Sequence, residues 1–174
     1  MKKYFCLLAF LTALAVPGLL FAQDDAPKRP ENMGVSDFDV FKNNSFDILD
    51  ESAKLKADAT KLDTDVKSYS AGLAAVSVEK LKADFKAFRG IGKSSKELST
   101  RISDLNGQSK ALLDQAKSLK PMTKSPQATG NTNKSVKGLD HSKKNLDGVL
   151  ALVDGNVKLL GDELKRRGET IEED

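Results

Sequence analysis

The residue types that carry most enzyme and metal chemistry are sparse in this chain of 174 residues. His141 is the only histidine and Cys6 the only cysteine, so no set of zinc ligands can be assembled from them. A Ser-His-acid triad also needs a histidine held by a carboxylate, and the aspartates near His141 are weak support for one. We expect His141 to be a solvated residue on the surface of a helix.

Three short segments match parts of known functional motifs. Asp63-Thr64-Asp65 matches part of a calcium loop but lacks its glycine and closing glutamate. The segment Arg89–Ser95 has the glycines, lysine and serine of a phosphate loop, without the preceding strand or the glycine spacing. Lys165-Arg166-Arg167 precedes an acidic tail and is typical of a solvated helix end. The sequence therefore predicts no catalytic, cofactor-binding or metal-binding residue, and no enzyme.

The first 22 residues have the features of a secretory signal peptide. Lys2 and Lys3 form a positive start, and an uncharged, mostly apolar run follows from Tyr4 to Val16. Ala22 is a small residue at the expected cleavage position. The run is shorter than the roughly 20 apolar residues of a membrane-spanning helix, which disfavours an uncleaved anchor. Cys6 lies inside the run, which argues against lipidation, so we predict export, with the bacterial periplasm first and the cell surface or medium second.

Cleavage would change the chemical character of the chain. It would remove two of the 28 basic residues, none of the 25 acidic ones and the only cysteine, so the net charge would fall from +3 to +1. A nearly neutral chain is a poor candidate for electrostatic binding of nucleic acid, and none is predicted. Without cysteine the mature protein has no disulfides, so its stability depends on packing.

Residues 36–76 carry a heptad pattern that predicts the first helix, after a flexible tether at 23–35 that contains prolines and a glycine. Spacings of three and four persist for six repeats, which is typical of helix-on-helix packing. A turn is expected at Ser70-Ala71-Gly72 or nearer Ser77. The two seam positions hold Phe41, Ile48, Leu55, Leu62, Tyr69 and Val76, and Phe38, Ser45, Ser52, Ala59, Val66 and Leu73.

A second heptad pattern predicts a helix over 78–119. Its phase continues across three glycines, so we expect one helix with a soft point, a kink or hinge, at Gly90–Gly92. Asp84 is the polar misfit, and Phe85 is expected to make the contact in its place. The seams hold Leu81, Phe88, Ser95, Ile102, Ser109 and Ala116, and Asp84, Ile91, Leu98, Leu105, Leu112 and Leu119.

A proline-, glycine- and hydroxyl-rich loop is predicted at 120–133, followed by a third helix at 134–168 and an acidic tail at 171–174. Glycines inside this helix either lower its propensity or allow close backbone approach, and the sequence leaves both open. The seams hold Val136, Lys143, Leu150, Val157, Leu164 and Ile171, and Leu139, Leu146, Val153, Leu160 and Arg167.

Together these segments predict an all-α fold, an elongated antiparallel three-helix bundle or coiled coil over residues 36–170. The first helix carries a net charge of −3 and the second +4, which favours their pairing. Serines in the seams have two explanations. Either the bundle is slender and its helices pack closely around small side chains, or part of each seam binds another molecule. The slender bundle is the favoured alternative.

The export signal and heptads favour a non-enzymatic protein of the bacterial envelope, acting as a structural or protein-interaction module. The partner would be another protein or a second copy bound through helical faces. One alternative is a periplasmic chaperone or carrier of an apolar ligand or lipid; another is a surface-exposed protein that binds a host or partner. No stable membrane span is expected after cleavage, and weak lipid or envelope contact is left open.

Overall fold

A computed structural model describes residues 26–171, apart from the side chains of Ser70 and Ala71. The described part is all-helical, with three long packed helices, which confirms the predicted fold class. They are α1 at Ser36–Tyr69, α2 at Val78–Lys117 and α3 at Ser125–Arg166. At 1.5 Å per residue they are about 51 to 63 Å long. The signal peptide predicted for residues 1–22 and tail residues 172–174 lie outside the described residues.

Hydrogen bonds between α1 and α3 show that these two helices run parallel. Asn145 donates to the Ser52 hydroxyl at 3.3 Å, and Asn156 donates to the Asp63 carboxylate at 2.8 Å. The residue number rises by the same amount on both helices from the first bond to the second, so the two helices run in the same direction.

Contacts between α2 and α3 run in the opposite sense. A Cβ at Gly92 would lie 3.0 Å from Val153, whereas one at Gly161 would lie 3.4 Å from Phe85. Residue numbers along α2 therefore decrease as those along α3 increase, so these two helices are antiparallel. The bundle is up-down-up, and α3 packs more extensively against α1 and α2 than they pack against each other.

The connection between α1 and α2 is a tight 3₁₀ segment, Ser70–Ala75, close to the predicted turn. Gly72 has non-helical backbone angles of φ −143° and ψ 36°, which interrupts the helical path. The Ser77 hydroxyl then accepts a hydrogen bond from the Lys80 amide at 3.2 Å and caps α2. The first helix thus ends at Tyr69, several residues before the predicted limit of 76.

The connection between α2 and α3 is much shorter than the predicted loop at 120–133. After a 3₁₀ turn at Met122–Lys124, α3 begins at Ser125. Pro126 lies in the first turn, where its missing amide hydrogen breaks no helical hydrogen bond. The Thr132 hydroxyl donates to the Ala128 carbonyl at 2.9 Å, so the hydroxyl-rich run is accommodated within the helix.

Two apolar clusters, one towards each end of the bundle, form the core. Around the boundary between them lie the buried seam serines Ser52 and Ser95, whose hydroxyls donate to carbonyls three or four residues earlier. These serines favour the slender bundle. The first cluster contains Met33, Phe38, Phe41, Ile48, Leu98, Ile102, Leu105, Leu112, Ala116, Ala128, Leu139 and Leu146; the second contains Ala59, Val66, Leu81, Phe88, Val149, Val153, Leu160 and Leu164.

Two seam positions differ from their predicted roles. Lys143, placed in a seam by the heptad pattern, keeps 67% of its side chain exposed and pairs with Asp147. The buried stripe of α3 is displaced from that position because this helix faces both of its neighbours. Asp84, predicted to be replaced by Phe85 at the contact, is itself buried at 3% exposure.

Residues 26–35 lie against the bundle rather than forming the predicted flexible tether. The buried Lys42 ammonium donates to the Pro30 carbonyl at 3.1 Å and also bonds the Asn32 side chain. Arg29 forms ion pairs with Asp47 at 2.7 Å and Asp50 at 2.9 Å. These polar partners could not be assigned from a segment whose composition alone is typical of a linker.

Candidate functional site

The residues that the sequence singled out for chemistry do not come together. His141 is half-buried on α3, whereas Asp63 lies on α1. Among residues 26–171, no three histidine, cysteine or carboxylate side chains are placed to hold a metal ion. The calcium-loop fragment is continuous α-helix, as are residues 89–95, whose amides are therefore not arranged as a phosphate loop.

Asp63 has a structural partner set instead. One carboxylate oxygen accepts from Asn156 of α3, and the other pairs with Lys67 at 2.7 Å. Burial opposes ionisation of this group, but the hydrogen bonds from Asn156 and Lys67, with the charge of Lys67, outweigh it and lower the pKa of Asp63. The side chain therefore fixes α3 against α1 as a carboxylate.

A second buried polar group joins the start of α2 to the end of α1. The Tyr69 hydroxyl donates to Asp84, whose other oxygen pairs with Lys80 at 2.7 Å. Burial, followed by the bond to Asp84 and the charges of Asp84 and Asp65, raises the pKa of Tyr69. The group is fully hydrogen-bonded, and it holds the turn between the two helices.

Arg167 is half-buried rather than solvated, contrary to the expectation for the 165–167 cluster. Its side chain is 16% exposed, and it donates to the Val76 carbonyl at 2.6 Å and to the Leu73 carbonyl. Glu163 accepts from the same guanidinium at 2.8 Å. The end of α3 is thereby fastened to the α1–α2 turn. Lys165 and Arg166 keep the predicted solvated character, and Arg166 is 62% exposed.

A groove of about 1030 Å³ lies between α2 and α3. Five cationic side chains of α2 line it, at spacings of four, three, four and three residues, which places them on one helix face. Asp154 is the single acidic residue among the lining side chains. We call this feature the basic groove; its cations are Lys82, Lys86, Arg89, Lys93 and Lys96.

The other lining residues give the basic groove an apolar floor. Gly90 and Gly92 contribute no side chain, and the backbone at Gly90 is exposed to the groove. At Gly92 this allows the close approach of Val153, whereas a Cβ at Gly90 would meet nothing within 4 Å. The helix is unbroken at the predicted soft point, and the glycines shape a surface. The apolar lining residues are Phe85, Leu150, Val153, Val157, Leu164 and Ile171.

The residues after α3 close one end of the basic groove. Gly168 adopts φ +80° and reverses the chain, and the Glu169 amide donates to the Leu164 carbonyl at 3.1 Å. Glu169 pairs with Lys82 at 2.6 Å, and Ile171 joins the apolar floor. The arrangement offers a row of positive charge above an apolar strip, which suits recognition of an elongated amphipathic anion.

Comparison with protein-family models, curated protein sequences and solved structures finds no match to this chain. Across residues 26–171, no helix has an apolar stretch of the length that a bilayer crossing requires.

Proposed function

We propose that this chain is an exported, non-enzymatic interaction module of the bacterial envelope, and that it binds an acidic amphipathic helix of a partner protein in the basic groove. The observation that carries the proposal is the row of five cations along one side of an apolar floor. An amphipathic helix placed there would bury its apolar stripe on α2 and α3 and would complete a four-helix arrangement.

The length of the cationic row favours a helix over a single amphiphile. Lys82 and Lys96 are fourteen residues apart, which corresponds to about 21 Å along α2. A fatty acid has one charge at one end and would use one part of this row. A helix with carboxylates at spacings of three and four can place an anion near each cation along its length.

The apolar floor supports a second candidate, a carrier of an apolar ligand or lipid. Phe85, Leu150 and Val157 are partly buried and line the groove without filling it. A single-chain anionic lipid could lie on this strip with its headgroup at one lysine. If the ligand is such a lipid, its affinity should depend on the lysine at one end of the basic groove and hardly on the cations at the other end.

The experiment measures binding of a synthetic 21-residue helix, with leucines at spacings of three and four and glutamates beside them. We expect Lys86→Glu with Lys93→Glu to weaken binding about tenfold or more, because two favourable charge contacts become repulsive. The matched control is Lys54→Glu with Lys61→Glu, two exposed lysines of α1. It should change the affinity less than twofold.

Two further probes separate the candidates. The same peptide with glutamine in place of glutamate should bind weakly, and the affinity for the acidic peptide should fall with rising salt. Binding of oleate, with no binding of the acidic peptide, would favour the carrier. Equal peptide affinity in both double variants would refute the basic groove as the binding surface.

A further inference from the structure

The direction of the chain after α3 is set by contacts at three successive points. Gly168 turns the backbone, Glu169 pairs with Lys82, and Ile171 packs near Gly161, where a Cβ would lie 3.5 Å from the Ile171 Cδ1 atom. Gly161 lies beside Phe85, three residues further along α2 than Lys82. The chain therefore runs back along the basic groove, towards Lys86 and Arg89.

The next three residues in the sequence are Glu172, Glu173 and Asp174. An extended chain advances at most about 3.3–3.6 Å per residue, so three residues cover about 10 Å beyond Ile171. Measured along α2, a chain of that length would reach from the level of Phe85 past Arg89 towards Lys93. Their charge is opposite to that of the lysines and arginine they would meet.

We infer that the acidic residues Glu172, Glu173 and Asp174 occupy the basic groove of their own chain and compete with its partner. The competition rests on the proposed function, whereas occupancy by the tail does not. A helix that binds must displace the tail carboxylates from Lys86, Arg89 and Lys93, so the tail lowers the apparent affinity. The tail also supplies these cations with counter-charges when no partner is present.

Occupancy is tested without any partner, by a spin label on the full chain carrying Cys6→Ser and Asp174→Cys. We expect the label to broaden the amide signals of Gly90 and Lys93 at low salt, and to leave those of Asp58 on α1 unaffected. Adding Glu172→Gln and Glu173→Gln to the labelled chain should remove most of the broadening. Equal broadening with and without these two carboxylates, or none in the basic groove, would overturn the inference.

Competition is tested with the acidic 21-residue peptide on chains without the label. Glu172→Gln with Glu173→Gln should tighten binding about threefold to tenfold, since two exposed charge contacts are no longer displaced. Asp58→Asn with Asp65→Asn removes the same charge from α1 and should leave the affinity unchanged. Unchanged affinity in the tail variant would overturn competition. Broadening at Gly90 in a chain that binds no peptide would support tail occupancy and refute the proposed partner.

Discussion

At the level of single residues, several polar side chains connect distant parts of this bundle, and some of them bind backbone carbonyls. Arg167 shows this most clearly, because it reaches the carbonyls of Leu73 and Val76 in the α1–α2 turn. Its neighbour Arg166 bonds Glu163, three residues before it in the same helix. Two arginines that look equivalent in the sequence therefore differ in what they hold together.

Arg167→Ala should lower the free energy of unfolding by about 1–3 kcal/mol, because it removes charged hydrogen bonds to two carbonyls at the end of the bundle. Arg166→Ala is the matched control and should cost much less, as expected for an exposed pair. Urea denaturation followed by circular dichroism measures both. Equal losses in the two variants would show that the contacts of Arg167 with the turn do not stabilise the fold.

Glu163 gives this connection a pH dependence. Hydrogen bonds from Arg166 and Arg167 are the main causes that lower the pKa of Glu163 from 4.5 to about 2. The contribution of a carboxylate with a lowered pKa is fully present above its unfolded value and is lost as the pH falls through the folded value. The stability advantage of wild type over Glu163→Gln should therefore be constant above about pH 4.5 and shrink between 4.5 and 2. Denaturation of both proteins across that range checks this, and a pH-independent difference would contradict it.

At the level of elements, the α1–α3 interface contains two asparagines that donate hydrogen bonds to different kinds of partner. Asn145 donates to Ser52, whose own hydroxyl still donates to the Leu49 carbonyl at 2.8 Å. Asn156 donates to Asp63, a buried carboxylate. Replacing the first leaves no buried charge without compensation, whereas replacing the second removes one of the hydrogen bonds that keep Asp63 ionised inside the interface.

The two substitutions to leucine, which is close to asparagine in branching, should have opposite signs. Asn145→Leu should raise the free energy of unfolding by about 1 kcal/mol, because it adds apolar contact at the first core cluster. Asn156→Leu should lower it by about 1–3 kcal/mol, because Asp63 loses a buried partner. Chemical denaturation measures both, and the stability advantage of wild type over Asn156→Leu should shrink as the pH falls through the lowered pKa of Asp63. A shift of the same sign in both variants would contradict this account of the interface.

Sequence periodicity correctly predicts apolar core positions of α1 and α2. Among them, Phe41, Ile48 and Phe88 are buried as predicted. It failed at the start of α3 because Pro126 and the following hydroxyl residues are as common in loops as in a first helical turn. It also failed where a helix has two neighbours, because a heptad assigns one seam and cannot say which second face is covered. Lys143 was misplaced for that reason.

The cations of the basic groove are spaced regularly in the sequence, but periodicity alone does not show that they line a groove. The spacing of Lys82, Lys86, Arg89, Lys93 and Lys96 is helical, but a row of cations on a helix is usually a solvated face. Its meaning changes only when the row is seen to border the apolar strip formed with α3. The opposite charges of α1 and α2 were expected to pair with each other, and Glu51 with Arg101 at 2.7 Å does so. The five groove cations instead line the side formed with α3.

At the level of the whole molecule, folding and binding place different demands on the two glycines in the basic groove. Gly92 is needed by the fold because a Cβ at this position would lie only 3.0 Å from the Val153 side chain. Gly90 has open space, so the bundle itself gives no reason for a glycine there. A glycine inside a helix costs about 1 kcal/mol relative to alanine. The open backbone at Gly90 leaves room for the helix that we propose to bind in the basic groove.

Gly90→Leu should separate binding from stability. The new side chain enters the basic groove without meeting the fold, so the free energy of unfolding should stay equal or rise by up to about 1 kcal/mol. Binding of the acidic 21-residue peptide should weaken at least tenfold, because the leucine occupies the space above the apolar floor. Gly107→Leu is the matched control, since its Cβ also meets nothing within 4 Å but it lies outside the groove lining. It should gain similar stability and bind normally, and equal peptide affinity in the two variants would show that the ligand does not lie along Gly90.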